Sequence, residues 1–297
     1  MKRQHASTSW FVLLLAFLVY FLLAIIGLRF ATYSGIASPI WPATGWAFYM
    51  ALRFRSRWIA VAVYFASFLA NILGPHLSLQ ELISHHWQWK EILVGSTLAM
   101  GTYFEVRVGA DLFKWFYQRF EESETYRFPG GLILAAIIGS LIAAISGASI
   151  LLVAEYIPQK VYFDTMTTWW VGDLLGVLTL TPFLKTMQDF DWKTYFQNSR
   201  DGQEAKRWSY LRLLLLLAVM GVSYLVFYTS MGVYFLYLQL LLILAGFWFS
   251  SAMGYVVGMI FYVVSLTATI QGSGPFSIGT VQVNFIYLQL FFLAVSM

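Results

Sequence analysis

The sequence predicts an all-α, polytopic bundle of about ten transmembrane helices, and three observations favour this prediction. Of the 297 residues, 60% are hydrophobic and only 11% are charged, whereas a soluble domain carries about 25% charged residues. The mean hydropathy is +0.70. Aromatic residues make up 19% of the chain, and many of them are expected at membrane interfaces. The chain is therefore predicted to be an integral membrane protein whose solvent is the lipid bilayer.

Ten apolar segments supply the predicted spans, since a helix needs about 20 apolar residues to cross a bilayer. They cover residues 10–30, 36–52, 58–74, 91–113, 130–156, 167–186, 210–228, 231–249, 252–270 and 281–297. Two of them, 231–249 and 252–270, lie so close together that the number of spans is about eight to ten. The first segment is interpreted as a span and not as a cleaved signal, because it is long and no small-residue cleavage site follows it.

The distribution of Lys and Arg orients these spans, because cytoplasmic loops collect positive charge. With the N-terminus in the cytoplasm, most of the 18 Lys and Arg residues fall on the cytoplasmic side. An even number of spans then returns Met297 to the cytoplasm. We expect one multi-pass domain over residues 1–297 in the cell inner membrane. Its polar cytoplasmic loop, 188–209, is predicted to divide a six-span part from a four-span part.

A break in the second predicted span is the first candidate for a functional site. The stretch 38–45 reads SPIWPATG, and Pro42 suits the first position of a helix. A helix from Pro42 to Phe54 is about 20 Å long at 1.5 Å per residue, which is short of the roughly 30 Å hydrocarbon core. The preceding chain is therefore expected to enter the membrane without helical structure, as happens where backbone is buried or faces a water-filled cavity. The candidates for ligand contact or gating are Trp41, Pro42, Thr44 and Gly45, with a purely structural break as the alternative.

A second break, at residues 271–276, is predicted to be a tight turn on the external side. Gly272, Gly274 and Pro275 interrupt the helical pattern there, as glycine and proline do in turns. A plain external turn is the default interpretation. The alternative is that Gly274 and Pro275 converge with the first break to form one outer cavity.

Charged residues inside the predicted spans are informative because lipid makes them expensive to bury. They are Arg29, Glu105, Arg107, Asp111 and Asp173. Arg107 and Asp111 are four residues apart on one helix and are expected to neutralise each other. Glu105 lies on another side of that helix and needs a different partner or a proton.

Asp173 follows the pair Trp169 and Trp170 near the outer end of its predicted span. Arg29 is predicted at a similar depth, so we expect an ion pair between Arg29 and Asp173 that holds the bundle together. Contact of Trp169, Trp170 and Asp173 with a ligand is the alternative.

Small residues recur every four positions in the fifth predicted span. They are Gly131, Ala135, Gly139, Ala143 and Gly147. Such a row lets helix backbones approach closely in lipid, where packing replaces the hydrophobic driving force. This span is therefore predicted to be a packed central helix, and a wall that lines a ligand is the less favoured interpretation.

The sequence offers no residues for common catalytic or metal chemistry. It contains no cysteine and four histidines, none of which lies inside a predicted span, and the adjacent pair His85 and His86 lacks the spacing of metal ligands. A phosphate-binding glycine loop is also missing. We therefore expect no catalytic residue, no metal and no cofactor. The net charge of +4 is not interpreted as a sign of nucleic-acid binding.

Motifs along nearly the whole chain resemble a known family. They are IWPATG at 40–45, FLAN at 68–71, WWVGDLLGVL at 169–178 with TP at 181–182, GSGPF at 272–276 and LQLFF at 288–292. In these places the chain resembles the membrane-associated sensor domain of the first type, the MASE family of N-terminal input domains in bacterial histidine kinases and diguanylate cyclases. One departure is Ala99 after the stretch 95–98, where the family often has glutamate. The resemblance implies a cytoplasmic output domain and a dimer.

The leading functional hypothesis is therefore a sensory input domain that is not itself an enzyme. An unknown ligand or membrane signal would shift the helix bundle between two packings, and the last helix would pass the change to a cytoplasmic kinase, a cyclic di-GMP cyclase or another partner. The chain to Met297 contains no output domain, so it is expected to be either truncated or stand-alone. The alternatives are a small-molecule transporter and a scaffold that recruits a cytoplasmic protein.

Overall fold

The computed structural model describes residues 9–29, 38, 41–74, 88–120, 124–190, 203–229, 232–279, 283–284, 287–288 and 291. The long elements in this part of the chain are all helices, so the predicted all-α class is confirmed. They are α1 (Trp10–Leu28), α2 (Pro42–Phe54), α3 (Arg57–Leu73), α4 (Trp89–Arg119), α5 (Glu124–Val153), α6 (Tyr162–Asp189), α7 (Gln203–Tyr228), α8 (Gly232–Phe249) and α9 (Ser251–Ile270). A 3₁₀ turn, Gln159–Val161, precedes α6.

Local sequence signals set where the helices begin. Ser9, Ser56 and Ser250 each accept a hydrogen bond from a backbone N–H of the first turn of α1, α3 and α9, which satisfies a donor that has no partner inside the helix. Pro42 is the first residue of α2, where its missing N–H costs nothing. Side-chain caps and a proline therefore account for four of these starts.

Within the described part of the chain, four helices are long and apolar enough to cross a membrane on their own. They are Trp10–Leu28, Arg127–Val153, Tyr210–Tyr228 and Ala252–Ile270, with Arg57–Leu73 and Leu236–Phe249 as shorter apolar helices. The other predicted spans coincide with α2, which has only 13 residues, and with the more polar helices α4 and α6. The tenth predicted span, 281–297, lies largely outside the described residues.

The chain divides into two compact units, residues 1–181 and 182–297. The division falls inside α6, a few residues before the polar loop 188–209 that the sequence predicts as the divider; residues 191–202 of that loop lie outside the described part. In the first unit, α4 packs on α5 and α3, and α1 packs on α2 and α3. In the second unit, α7, α8 and α9 pack against one another.

The row of small residues on α5 lies in the interior of the first unit. Ala135 and Ala143 are buried. A Cβ on Gly139 would lie 3.0 Å from the backbone oxygen of Glu105, so α4 and α5 approach here more closely than a larger residue would permit. Gly147 lies against the indole ring of Trp169, and Gly131 faces phenylalanine rings of α4. The α5 helix thus packs between α4 and α6 through its smallest side chains.

Candidate functional site: a buried polar centre

The carboxyl group of Asp173 lies in the interior of the first unit and is tied to the start of α2. Its residue is 1% exposed. Thr44 Oγ1 donates a hydrogen bond of 2.8 Å to Asp173 Oδ1, and the indole of Trp169, one turn earlier on α6, lies beside the same carboxyl. The first turn of α2 is therefore linked directly to the acidic residue of α6.

Two glycines bring α2 and α6 close enough for this bond. A methyl group on Gly45 would overlap the carbonyl oxygen of Gly176, and one on Gly176 would overlap the carbonyl oxygen of Trp41. Thr181 Oγ1 also donates a 2.9 Å hydrogen bond to the carbonyl oxygen of Gly45. Because backbone meets backbone here, the position of Asp173 relative to Thr44 is set by main-chain contact and not by adjustable side chains.

Glu105 provides a second buried acid beside Asp173. It projects from α4, is 1% exposed and lies near enough to Asp173 for their charges to interact. The Ser140 hydroxyl faces the Glu105 carboxyl from α5. Among the described residues, however, neither Ser140 Oγ nor Glu105 Oε1 has a hydrogen-bond partner, and Asp173 Oδ2 has none either.

The hydroxyl group of Tyr20 completes the cluster from α1. Tyr20 is fully buried, and Trp41 Nε1 donates a long hydrogen bond of 3.5 Å to its hydroxyl oxygen. Ser67 on α3 faces the same hydroxyl and lies 3.3 Å from the Thr102 hydroxyl of α4. We call the group Tyr20, Thr44, Ser67, Glu105, Ser140 and Asp173 the polar centre. Its six residues come from the six helices α1 to α6.

The predicted ion pair between Arg29 and Asp173 is wrong. Arg29 follows the last residue of α1 and is exposed, while Asp173 is buried and bound to Thr44. Over the described ranges, the ion pairs are Arg107–Asp111 and Lys185–Asp189, and neither involves the polar centre. The two acids of the centre thus face each other without a described cation.

The pairing expected between Arg107 and Asp111 is present in the structure. Arg107 Nη2 lies 3.0 Å from Asp111 Oδ2, and both side chains are about half exposed. This pair lies on the exposed side of α4, whereas Glu105 faces inward. One helix therefore carries a satisfied acid on its surface and an unsatisfied acid in the interior.

The remaining candidates occupy other places. Trp170 Nε1 donates a 3.1 Å hydrogen bond to the carbonyl oxygen of Ile137 on α5, away from the carboxyl that Trp169 touches. Gly274 belongs to the second unit, where it has a φ of +92° and lies against Phe227; Pro275 follows it in the same turn. The turn is thus present, and its convergence with the first break stays a prediction.

Sequence reasoning singled out Trp41, Thr44, Glu105 and Asp173 but missed the hydroxyl groups of Tyr20, Ser67 and Ser140. A signal for Tyr20 was available, because a tyrosine in the middle of an otherwise apolar span has no interface to reach. Ser67 carried a weaker signal, since a serine in a membrane helix usually bonds to its own backbone.

The polar centre can hold and move protons or bind a small cation, because hydroxyl and carboxyl oxygens are its functional atoms. It is unsuited to a transition metal: over the described residues, no group of three or more His, Cys, Asp or Glu side chains could hold a metal ion.

Comparison with known proteins identifies the family of the chain. No curated protein and no solved structure matches the chain significantly. The family model named MASE1 matches residues 12–297, which includes all six residues of the polar centre. The chain, which contacts the lipid bilayer through its apolar helices, therefore belongs to the MASE1 family of membrane sensory input domains.

Proposed function

We propose that this chain is a multi-pass sensory input domain of the bacterial inner membrane and that its signal is received at the polar centre. The observation that favours this most is the hydrogen bond between Thr44 and Asp173. It connects the first turn of α2 with the buried acid of α6. A signal that changes the charge or hydration of this centre would alter contacts among six helices at once.

The proposed topology has about ten spans, with both chain ends in the cytoplasm. The concentration of Lys and Arg in alternate loops supports it. In this arrangement the turn at 272–276 and the connection between α5 and α6 are external, and the connection between α2 and α3 is cytoplasmic. The domain would relay its state to a cytoplasmic output domain, a histidine kinase or a diguanylate cyclase, and would work as a homodimer without catalytic activity of its own.

Single cysteines test this topology without interference, because the natural chain has no cysteine. We expect a membrane-impermeant maleimide added to intact spheroplasts to label Lys160→Cys and Ser273→Cys. Arg55→Cys should be labelled only after the membrane is opened. Labelling of Arg55→Cys in intact spheroplasts would contradict the proposed orientation.

The sensory role is tested in the full-length protein, or with the chain fused after residue 297 to a diguanylate cyclase. Asp173→Asn keeps the shape of the side chain and removes its charge. We expect it to fix the cyclase output at one level, a change of about tenfold or more, which corresponds to about 1.4 kcal/mol between two packings. Asp111→Asn is the matched control, because it removes an exposed acid from the Arg107 pair.

The same variants separate the sensor from a transporter. If output is unchanged by Asp173→Asn while proteoliposomes that contain the wild-type chain accumulate a solute, transport is the function. If output changes and no solute accumulates, the sensory proposal holds.

A further inference from the structure

We propose that Glu105 and Asp173 form an exchangeable proton-binding site, in which at least one of the two buried carboxyl groups holds a proton. The site is a feature of the first unit by itself. Its use as the sensed signal rests on the function proposed above, whereas the existence of the site does not.

Charge balance is the first argument for a bound proton. Both acids are 1% exposed, and they lie close enough for their charges to interact. No Lys, Arg or His within the described ranges forms an ion pair with either of them. Two uncompensated negative charges in such surroundings would cost many kcal/mol, so the pair must take up positive charge. A proton can do this without any additional space.

The unpartnered atoms are the second and independent argument. Ser140 is fully buried on α5, and its hydroxyl faces the Glu105 carboxyl. Yet Ser140 Oγ, Glu105 Oε1 and Asp173 Oδ2 all lack a hydrogen-bond partner within the described structure. Buried polar atoms are almost always bonded. Oε1 of Glu105 and Oδ2 of Asp173 therefore have acceptor capacity that a bound proton would use.

The neighbours of the pair can stabilise it without supplying a charge. Hydrogen-bonding groups surround the pair: Tyr20 from α1, Thr44 from α2, Ser140 from α5 and Trp169 from α6. Ser67 of α3 lies beside Tyr20. Of these, Tyr20 is titratable, and the others are neutral hydrogen-bonding groups. Thr44 already donates to one oxygen of Asp173, which leaves Oδ2 free for the proton.

Loss of the proton would change the packing of the bundle. With one proton present, Glu105 on α4 and Asp173 on α6 carry a single negative charge between them. With none, two like charges repel each other where the dielectric constant is low. The protonated state therefore favours close packing of α4 and α6, and the deprotonated state favours their separation. This supplies the two states that a sensor needs.

Infrared spectroscopy of the purified chain in lipid nanodiscs tests the site directly. A protonated carboxylic acid has a carbonyl stretching band that is separate from carboxylate bands and shifts in D₂O. We expect the wild type to show this band for a buried acid and to lose it as pH rises. Glu105→Gln or Asp173→Asn should remove the band, while Asp111→Asn should leave it intact.

Three results would overturn the proposal. One is a folded wild-type protein with no such band, and another is a band that stays constant over the whole pH range in which the protein is folded. The third is a band that disappears when sodium replaces choline at constant pH, because the site would then bind sodium. The wild-type titration needs no variant, so a misfolded variant cannot leave the question open.

The cyclase fusion separates the site from the signal. We expect its output to change over the pH range in which the band is lost, and Asp111→Asn to respond like the wild type. If the band titrates but output does not follow it, the proton site stands and the proposed signal is wrong. If the band does not titrate, the proton site is wrong whatever the output does.

Discussion

In the first unit, the hydrogen bond from Thr44 on α2 to Asp173 on α6 joins two helices through buried polar side chains. In the second unit, by contrast, Ser265 and Thr269 both donate to carbonyl oxygens of α9, the helix on which they lie. The bond from Tyr228 to Gln271, which links α7 to the end of α9, is exposed. The sequence also has no charged residue after Arg212. The buried acids of the described structure therefore lie in the first unit.

An apolar cavity of about 650 Å³ lies in the second unit. Its lining includes Phe183, Met220, Tyr224, Val256, Ile260 and Thr267. This cavity offers a ligand mainly apolar contact, whereas the polar centre of the first unit presents carboxyl and hydroxyl groups.

The largest effect is expected where α2 and α6 meet at the polar centre. Gly45→Ala places a methyl group against the backbone of Gly176, and backbone cannot move aside without separating α2 from α6. We expect the free energy of unfolding to fall by about 3 kcal/mol, or the protein not to fold. Thermal unfolding in detergent measures this.

Gly221→Ala is the matched control in the second unit, because no atom lies within 4 Å of the added Cβ. This substitution should raise stability by about 0.5–1 kcal/mol, since alanine is the better helix former. Equal effects of the two substitutions would show that the close approach of α2 and α6 is not as described.

The next largest effect concerns the hydroxyl groups themselves. Thr44→Val removes the donor to Asp173 with little change of shape, and a hydrogen bond to a charged or proton-sharing group contributes about 2 kcal/mol. Thr269→Val removes a buried hydroxyl that bonds to its own helix, and should cost less than about 0.5 kcal/mol. Thermal unfolding of both variants in one detergent measures the difference. Similar losses would remove the contrast between the units.

A third substitution tests the least satisfied polar residue of the second unit. Gln239 is fully buried on α8, and neither of its amide atoms has a hydrogen-bond partner among the described residues. Gln239→Leu should raise the free energy of unfolding by about 1 kcal/mol, because the desolvation penalty of the amide is removed. Glu105→Gln in the first unit provides the comparison. If Gln239→Leu is destabilising, the amide has a partner in the intact protein.

The sequence alone allowed prediction of the helices more fully than of the site. Apolar length located the nine described helices, although α7 begins at Gln203 and not near 210, and Pro42 marked the start of α2. The ion pair of Asp173 was assigned to Arg29 because depth along a helix can be estimated from sequence. The direction in which a side chain faces cannot be estimated in the same way, since it depends on the helix neighbours.

The composition of the polar centre was also only partly predictable from the sequence. Glu105 was recognised as an acid without a partner, but its meeting with Asp173 depends on the order in which α4, α5 and α6 pack. That order follows from small residues such as Gly139 and Gly147, whose partners a single sequence does not name. Sequence spacing therefore did not predict contacts between distant helices. It did predict a pair within one helix, that of Arg107 and Asp111.

The smallest effect concerns backbone strain, which the two units also handle differently. Arg55 and Glu155 in the first unit have φ values of 52° and 62°, whereas the residues with positive φ in the second unit are Gly272 and Gly274. Residues other than glycine raise the energy of this conformation by about 1–2 kcal/mol. The advantage of glycine is partly offset by the greater entropy of its unfolded chain. Glu155→Gly should therefore raise stability by about 0.5 kcal/mol in thermal unfolding. Gly272→Ala should lower it by about 1 kcal/mol, since its Cβ would meet no atom within 4 Å and only the backbone conformation opposes it. If Glu155→Gly leaves stability unchanged but alters the output of the cyclase fusion, the strain at Glu155 serves the change between packings and not the fold.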